Sequence, residues 1–438
     1  MNTGLYWFHH DCRLADNALL QQAAKQCTHL KLLHFQQLTS SYEQHFLPVR
    51  NDNTPKTQFM LQSNHELNQQ LMRFGQWLEI IPACSVLQAL NHLLEIINQH
   101  HINHLYISHT SCFYTNKVVA KLATQLPELN IHRVHNNSLF EPQQLAFDIG
   151  GLPTSFSKFR KISEPIKQLA IAATVDSMPP PFDAPTQNLL RDFAIDSTKP
   201  VHGGEIHGQQ HLHSYFSSHA PSTYKQTRNA LDDWSSSTKF SYWLANGNLS
   251  ARQVLYALRQ YEYQHGANES TYWISFELLW REYFYWYAVH HGAKLFRFTG
   301  INHHKPLTSF YSQRLQVWIN GTTPYPIINA CMKQLKHTGY MSNRGRQLAA
   351  SCFVHELGLD WRYGAMYFQH QLIDHDVGSN WGNWQYLAGV GADPRGHRRF
   401  DLTKQTQMYD PFNQFIKRWQ GHIVNTPLDN VDLADWPQ

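Results

Sequence analysis

Apolar residues in the first third of the chain fall in short runs set between longer stretches of helical spacing. Leu5 to Phe8, Leu30 to Phe35, Trp77 to Ile81 and Leu105 to Ser108 predict strands. Between them, Phe59 to Phe74 and Val86 to Gln99 carry apolar positions at helical spacing. The resulting order of strand, helix, strand, helix predicts a parallel, Rossmann-like α/β sheet. From about Asn136 to Pro200 the periodicity weakens, and Pro179, Pro180 and Pro181 stand together where helix and central strand are both disfavoured. Beyond this stretch helical spacing runs almost throughout, broken at turns such as Gly321 to Pro326 and Gly389 to Pro394. The expected organisation is an α/β domain over residues 1–135, a linker over 136–200 and an all-helical domain over 201–438.

Length supports this division, because 438 residues exceed what one hydrophobic core usually organises. With 42% hydrophobic residues, a mean hydropathy of -0.48 and no apolar run near bilayer length, a membrane-spanning protein is excluded. Met1 to Phe8 carries no basic leader, so a cytoplasmic location is expected. Cys12, Cys27, Cys84, Cys112, Cys331 and Cys352 form no CxxC pair, which predicts reduced thiols and no metal site. The net charge of +4, counted with 29 neutral histidines, permits a nucleic-acid partner without requiring one. The 13 Trp, 21 Tyr and 24 Phe suit ring cofactors or unstacked bases, although a large aromatic core is the simpler account of composition alone.

Four segments carry candidate chemistry. In the first, Trp273, Phe276, Trp280, Phe284 and Tyr287 form an aromatic stripe on a predicted helix, and Glu277 lies on that stripe. A carboxylate there must be paired or used, since stranding it in an apolar core is costly. Two readings stay open: an i, i+4 ion pair with Arg281, or a functional carboxylate. The second segment, a predicted helix over Met341 to Phe353, puts Asn343, Arg346 and Gln347 on one side. The plain alternative is a packed helix whose first turn is polar and solvated. In the third, Asp376, Asn380 and Trp384 align if the segment is helical, and Gly378 and Gly382 are expected to perturb its geometry. Asp374 and Asp376 as helix caps is the simpler reading of those two carboxylates. The fourth combines Tyr224 to Asn229 with Ser237, Thr238, Lys239, Phe240 and Ser241, hydroxyls and backbone donors beside basic groups that suit a diphosphate. A loop with N-cap serines is the alternative.

Taken together and in order, these segments resemble the C-terminal half of photolyases and cryptochromes, and Met341 to Gln347, Asp374 to Gly391 and Met408 to Pro411 are most similar to the DASH cryptochromes. The opening Tyr6 to Asn17 and the stretch Phe156 to Lys161 extend the resemblance to nearly the whole chain. It implies FAD held in a bent conformation by a helical domain. Carried over, Tyr224, Thr238, Lys239, Phe240 and Ser241 would hold the diphosphate region. Arg346 would pair with Asp374 beside the isoalloxazine, Asp376 would face the flavin and adenine, and Asn380 would lie near flavin N5. In repair members, an excited reduced flavin gives an electron to a cyclobutane pyrimidine dimer flipped out of DNA. Glu277, Asn343 and Gln347 match positions contacting the dimer, Trp280 and Trp384 its apolar wall, and Arg344 a phosphate contact. The implied protein is a monomeric blue-light pyrimidine-dimer lyase preferring single-stranded DNA. The alternative is a photoreceptor whose flavin redox state a partner reads.

Two departures from the family pattern carry expectations. Trp384 and Trp361 match the inner members of its tryptophan electron-transfer chain, but Thr308 stands at the outer position, with Phe310 and Tyr311 as nearby aromatics. His109 to Lys117 contains none of the carboxylates that hold a methenyltetrahydrofolate antenna, and His9, His10 and Cys12 replace the more usual Arg, Asn and Leu. A weakened or absent folate site, or a different antenna, is expected. Met341 to Gln347 also lacks the histidines of (6-4) photolyases, and the short stretch after Pro411 is not a long signalling tail.

Overall fold

The apolar runs pair edge to edge into a parallel sheet. In a computed structural model that describes residues 2–46, 54–82, 84–184, 201–302, 304–392 and 398–424, the strands are β1 (Thr3–Phe8), β2 (His29–Phe35), β3 (Leu38–Thr39), β4 (Leu78–Ile81), β5 (Cys84–Ser85), β6 (His104–Ile107) and β7 (Asn130–His132). Five form the sheet in the order β4-β2-β1-β6-β7, and β3 and β5 form a small second pair. Tyr6 of the central strand registers with Leu32 on one side and Tyr106 on the other. Leu5 to Phe8 are fully buried, as both faces of a parallel sheet must be when helices cover them.

The four predicted strands are present with ends shifted by one or two residues, and Val86–Gln99 is helical as expected. The other predicted helix begins earlier, at Pro55, because Thr54 caps its first turn and proline at that position loses no hydrogen bond. Helices Ala18–Gln26 and Phe113–Gln125 and the three-residue edge strand β7 were not predicted. Ala18–Gln26 and β7 are short for a period to stand out, whereas Phe113–Gln125 buries Val118, Val119 and Leu122 at helical spacing, a signal the sequence does carry.

Within the described part of the linker, order comes from contacts rather than periodicity. The helix Phe156–Ser163 interrupts it, and the proline run docks on the sheet: Leu30 N–H donates to Pro180 O at 3.1 Å and the Gln76 amide to Pro179 O at 2.6 Å. Residues 185–200 of the linker lie outside the described residues. From Glu205 onward the described elements are helical. Gly321, in the left-handed region at φ 65°, ends the helix Ser312–Asn320, and Pro326 starts the next, Pro326–Thr338. The expected turn at Gly389 to Pro394 is described only as far as Ala392.

The longest helix, Glu269–His291, starts at an Asn268 cap and packs on Val377–Leu387. Gly378 and Gly382 do not perturb the second helix, which runs unbroken for 11 residues. They admit its neighbour instead: a Cβ at either position would lie 2.4 Å from Phe284, from its carbonyl oxygen or from its ring. Among the described residues, no helix is long and apolar enough to cross a membrane.

Candidate functional site

The four segments converge on one cavity of about 670 Å³, within the range of small-molecule and cofactor sites. Every residue singled out for FAD, lesion or phosphate lines it, from Tyr224 to Trp384, while Trp361 does not. Ser342 caps the helix Asn343–Ser351 by accepting from Gly345 N–H, and this start turns Asn343, Arg346 and Gln347 toward the cavity. Arg346 Nη2 donates to both Asp374 oxygens at 2.9 and 2.8 Å, and its Nε to Met341 O at 2.9 Å. Burial alone would lower the guanidinium pKa, but the Asp374 carboxylate outweighs it and the net shift is upward. Asp374 is therefore an ion-pair partner and not a cap. Asp376 is the cap, accepting from Ser379 N–H at 2.7 Å while lining the cavity. Asn380 Nδ2 donates to Ala365 O at 2.9 Å, which fixes the amide plane and leaves its oxygen as an acceptor.

At the diphosphate segment Lys239 takes a left-handed φ of 54°, so the chain doubles back between Thr238 and the helix Ser241–Asn246. Its ammonium donates to the Tyr340 hydroxyl at 2.6 Å, and burial pushes its pKa down to about 8. Phe240 is buried against Tyr215, with ring centroids 5.2 Å apart, and Tyr224 is buried beside the cavity with its phenol pKa raised by desolvation.

Glu277 has a different partner from the one expected. Arg281 does not pair with Glu277; it donates to Asn137 O at 2.7 Å and Leu244 O at 3.4 Å. The partner of Glu277 is Arg228, whose guanidinium also stands 4.3 Å from the Trp273 ring centroid. Arg228 lies in the segment read as a diphosphate binder, and nothing local relates it to a residue 49 positions away. Desolvation in the cavity raises the Glu277 carboxyl pKa, with Arg228 offsetting part of the effect. Tyr340, Tyr386 and Arg398 also line the cavity without having been predicted; Tyr386 falls within the stretch Asp374 to Gly391, and no motif covers the other two.

Trp384 is almost fully buried, and its ring closes on Gly364, where a Cβ would lie 2.3 Å from Cη2. Trp361 starts the helix Trp361–Gln371 that carries Gly364, donates to Phe298 O at 3.0 Å and meets the Trp381 ring at 5.7 Å. Phe310 stacks on Tyr363 at 4.5 Å, and Tyr311 lies under Arg314; no ring contact joins either to Trp361 among the described residues. In the antenna-like segment His109 stacks on His135 at 4.1 Å, and Tyr114 reaches Phe296 of the helical body at 5.8 Å.

The donor set fits FAD. Thr238 and Ser241 hydroxyls beside Lys239 suit a diphosphate, and the Arg346–Asp374 pair with the Asn380 amide suits a flavin's polar edge. Residues 4–181 match the family described as DNA photolyase, and residues 273–436 the FAD binding domain of DNA photolyase. A protein named Cryptochrome DASH from Idiomarina loihiensis is 50% identical over 99% of this chain and 96% of its own length. Another of that name from Vibrio parahaemolyticus is 49% identical over 99% and 97%. A crystal structure of a Synechocystis cryptochrome superposes with a TM-score of 0.85 at 32% identity, covering 98% of this chain and 91% of that one. A class III photolyase from Agrobacterium tumefaciens shares the fold, with a TM-score of 0.78 at 21% identity over 100% of this chain and 92% of that one. With an FAD-binding helical domain, a photolyase-type parallel sheet and near-full-length identity to proteins of that name, the chain belongs to the DASH cryptochromes of the photolyase and cryptochrome family.

Proposed function

We propose that this protein splits cyclobutane pyrimidine dimers in DNA, preferentially single-stranded, under blue light. Bound FAD supplies light absorption and one-electron donation. The observation that carries the reading is the second half of the cavity: Glu277, Asn343 and Gln347 offer polar groups beside the indoles of Trp280 and Trp384, in the same space as the FAD donors. A flipped dimer needs that combination of flat apolar wall and hydrogen-bonding edge.

The residues divide the work. Arg346, held by Asp374, and Asn380, held by Ala365 O, orient the flavin end, while Thr238, Lys239 and Ser241 hold the diphosphate. Asn343 and Gln347 bind the polar edge of the lesion, and Arg344 holds a strand phosphate. Its guanidinium rests over the Tyr409 ring at 4.8 Å and lines the cavity. Desolvation raises the Glu277 carboxyl pKa against the opposing pull of Arg228, which eases protonation, and in its protonated form Glu277 would donate to a dimer carbonyl oxygen as negative charge grows there. Trp384 and Trp361 serve electron transfer toward the flavin.

The test is an absorption spectrum of the purified protein followed by illumination with a dimer-bearing oligonucleotide. Expected are a yellow FAD protein and light-dependent loss of dimers, faster in single than in double strands. FAD-loaded, reduced protein that leaves dimers intact under blue light would overturn the repair reading and leave the photoreceptor alternative.

A further inference from the structure

The indole of Trp280, part of the cavity wall, is stacked on a ring from outside the helical body. Its centroid lies 3.7 Å from that of Phe156 with an interplanar angle of 12°. Phe156 is the first residue of the linker helix Phe156–Ser163, is buried, and is not among the cavity-lining residues. It also meets Phe276 edge-on at 5.1 Å, one turn before Trp280. The linker helix is pinned to the same long helix at its other end. Arg160 donates to the Tyr272 hydroxyl at 3.0 Å, and that hydroxyl donates to Glu164 at 2.6 Å. Upstream, the buried Glu282 carboxylate accepts from Leu139 N–H at 3.0 Å and from the Ser138 hydroxyl. One face of the long helix thus presents Glu277 and Trp280 to the cavity while its other faces grip the linker.

We infer that Phe156 is a positioning residue for Trp280, so that the linker helix sets the wall on which an unstacked, lesion-bearing base of a nucleic-acid strand is held. The inference rests on the reading of this cavity as a lesion site. An indole at the edge of a cavity has rotamers to lose when a substrate stacks on it, and a parallel partner on its far side removes that freedom beforehand. Phe156 does not line the cavity, so its effect on substrate passes through the lining rings it packs against, of which Trp280 is the one it stacks on and Phe276 the one it meets by an edge.

The experiment compares the FAD-loaded wild type with Phe156→Leu, which keeps apolar bulk but loses the stack, and Phe156→Tyr, which restores it. Measured are Kd for a single strand with one dimer and for the undamaged strand, the FAD-to-protein ratio, and repair at limiting and saturating oligonucleotide. Phe156→Leu is expected to weaken dimer binding by roughly threefold to tenfold, the size of one lost aromatic stack. Repair at limiting oligonucleotide should fall more than repair at saturation, and Phe156→Tyr should return both to wild type. In a Trp280→Ala background Phe156→Leu should weaken dimer binding no further. An equal weakening in that background, equal losses at limiting and saturating oligonucleotide, or unchanged dimer affinity in the flavin-loaded protein would overturn the inference. Wild-type protein that binds damaged and undamaged strands alike would instead overturn the lesion-site reading, before any substitution is made.

Discussion

Glu277 is both a pocket group and half of an ion pair, and the two roles predict different losses. Its side chain is about a third exposed, at 34%, so its pair with Arg228 is worth ~1 kcal/mol or less. Its pKa is raised in the fold, so ionising it costs folded stability once the pH passes its unfolded value, and removing the charge relieves that cost at neutral pH. Glu277→Gln should therefore keep FAD and melt within a few degrees of wild type, while dimer splitting per photon absorbed falls several-fold. A large drop in melting temperature with undiminished repair would make Glu277 structural. Lys239 gives the second prediction at this scale. Its amine is neutralised above about pH 8 in the cavity without ligand, and a bound diphosphate favours the ammonium and raises that value. FAD affinity should be flat below pH 8, fall as the pH rises above it, and lose this dependence in Lys239→Met. Titration of the apoprotein with FAD by flavin fluorescence from pH 6 to about 10 checks the slope.

At the scale of elements, the contact between the two cavity helices depends on missing side chains. A methyl group at residue 382 would meet the Phe284 ring at 2.4 Å, in a segment where both helices are buried. Gly382→Ala should cost ~1–3 kcal/mol by overpacking and lower the FAD content by displacing Asn380 and Trp384, read by urea unfolding and the flavin-to-protein ratio. The aromatic stripe, the polar face of Asn343, Arg346 and Gln347, and the alignment of Asp376, Asn380 and Trp384 were legible because helical periodicity is local. The glycines were misread because their meaning depends on Phe284, roughly a hundred residues earlier, and Arg228 was missed as the partner of Glu277 for the same reason. Short elements such as β7 carry too little pattern to be found alone. The antenna-like segment was read from a missing carboxylate, and its structure adds that Phe113 and Tyr114 are turned to Phe296 of the helical body. Purified protein should show no methenyltetrahydrofolate absorption in the near ultraviolet, and stoichiometric folate would overturn that expectation.

The whole molecule is tied together by a buried polar clamp that no periodicity announces. Arg252, from the first turn of the helix Ala251–His265, donates to Asp16 at 2.9 Å and to the carbonyls of Asn136 and Ser138 at 3.0 and 3.1 Å. Arg13, fully buried, donates to Gly247 O at 2.9 Å and Asn136 O at 2.8 Å, and Asn248 Nδ2 donates to Cys12 O at 2.9 Å. The loop after β1 therefore holds residues 247–252, which directly follow the helix that Ser241 opens at the Thr238 side of the cavity. Asp16 is fully buried, and removing its cationic partner leaves an uncompensated carboxylate, a loss of ~3–5 kcal/mol. Arg252→Met should lower the urea midpoint accordingly. It should also weaken FAD binding, although Arg252 does not line the cavity, because the backbone after Ser241 loses its anchor. The double variant Asp16→Asn/Arg252→Met, which removes the stranded charge as well, should recover much of the stability. If FAD affinity recovers with it, the clamp acts on the cavity through stability alone. If affinity stays low while the midpoint recovers, the sheet domain positions the diphosphate donors directly, and the two domains form one functional unit.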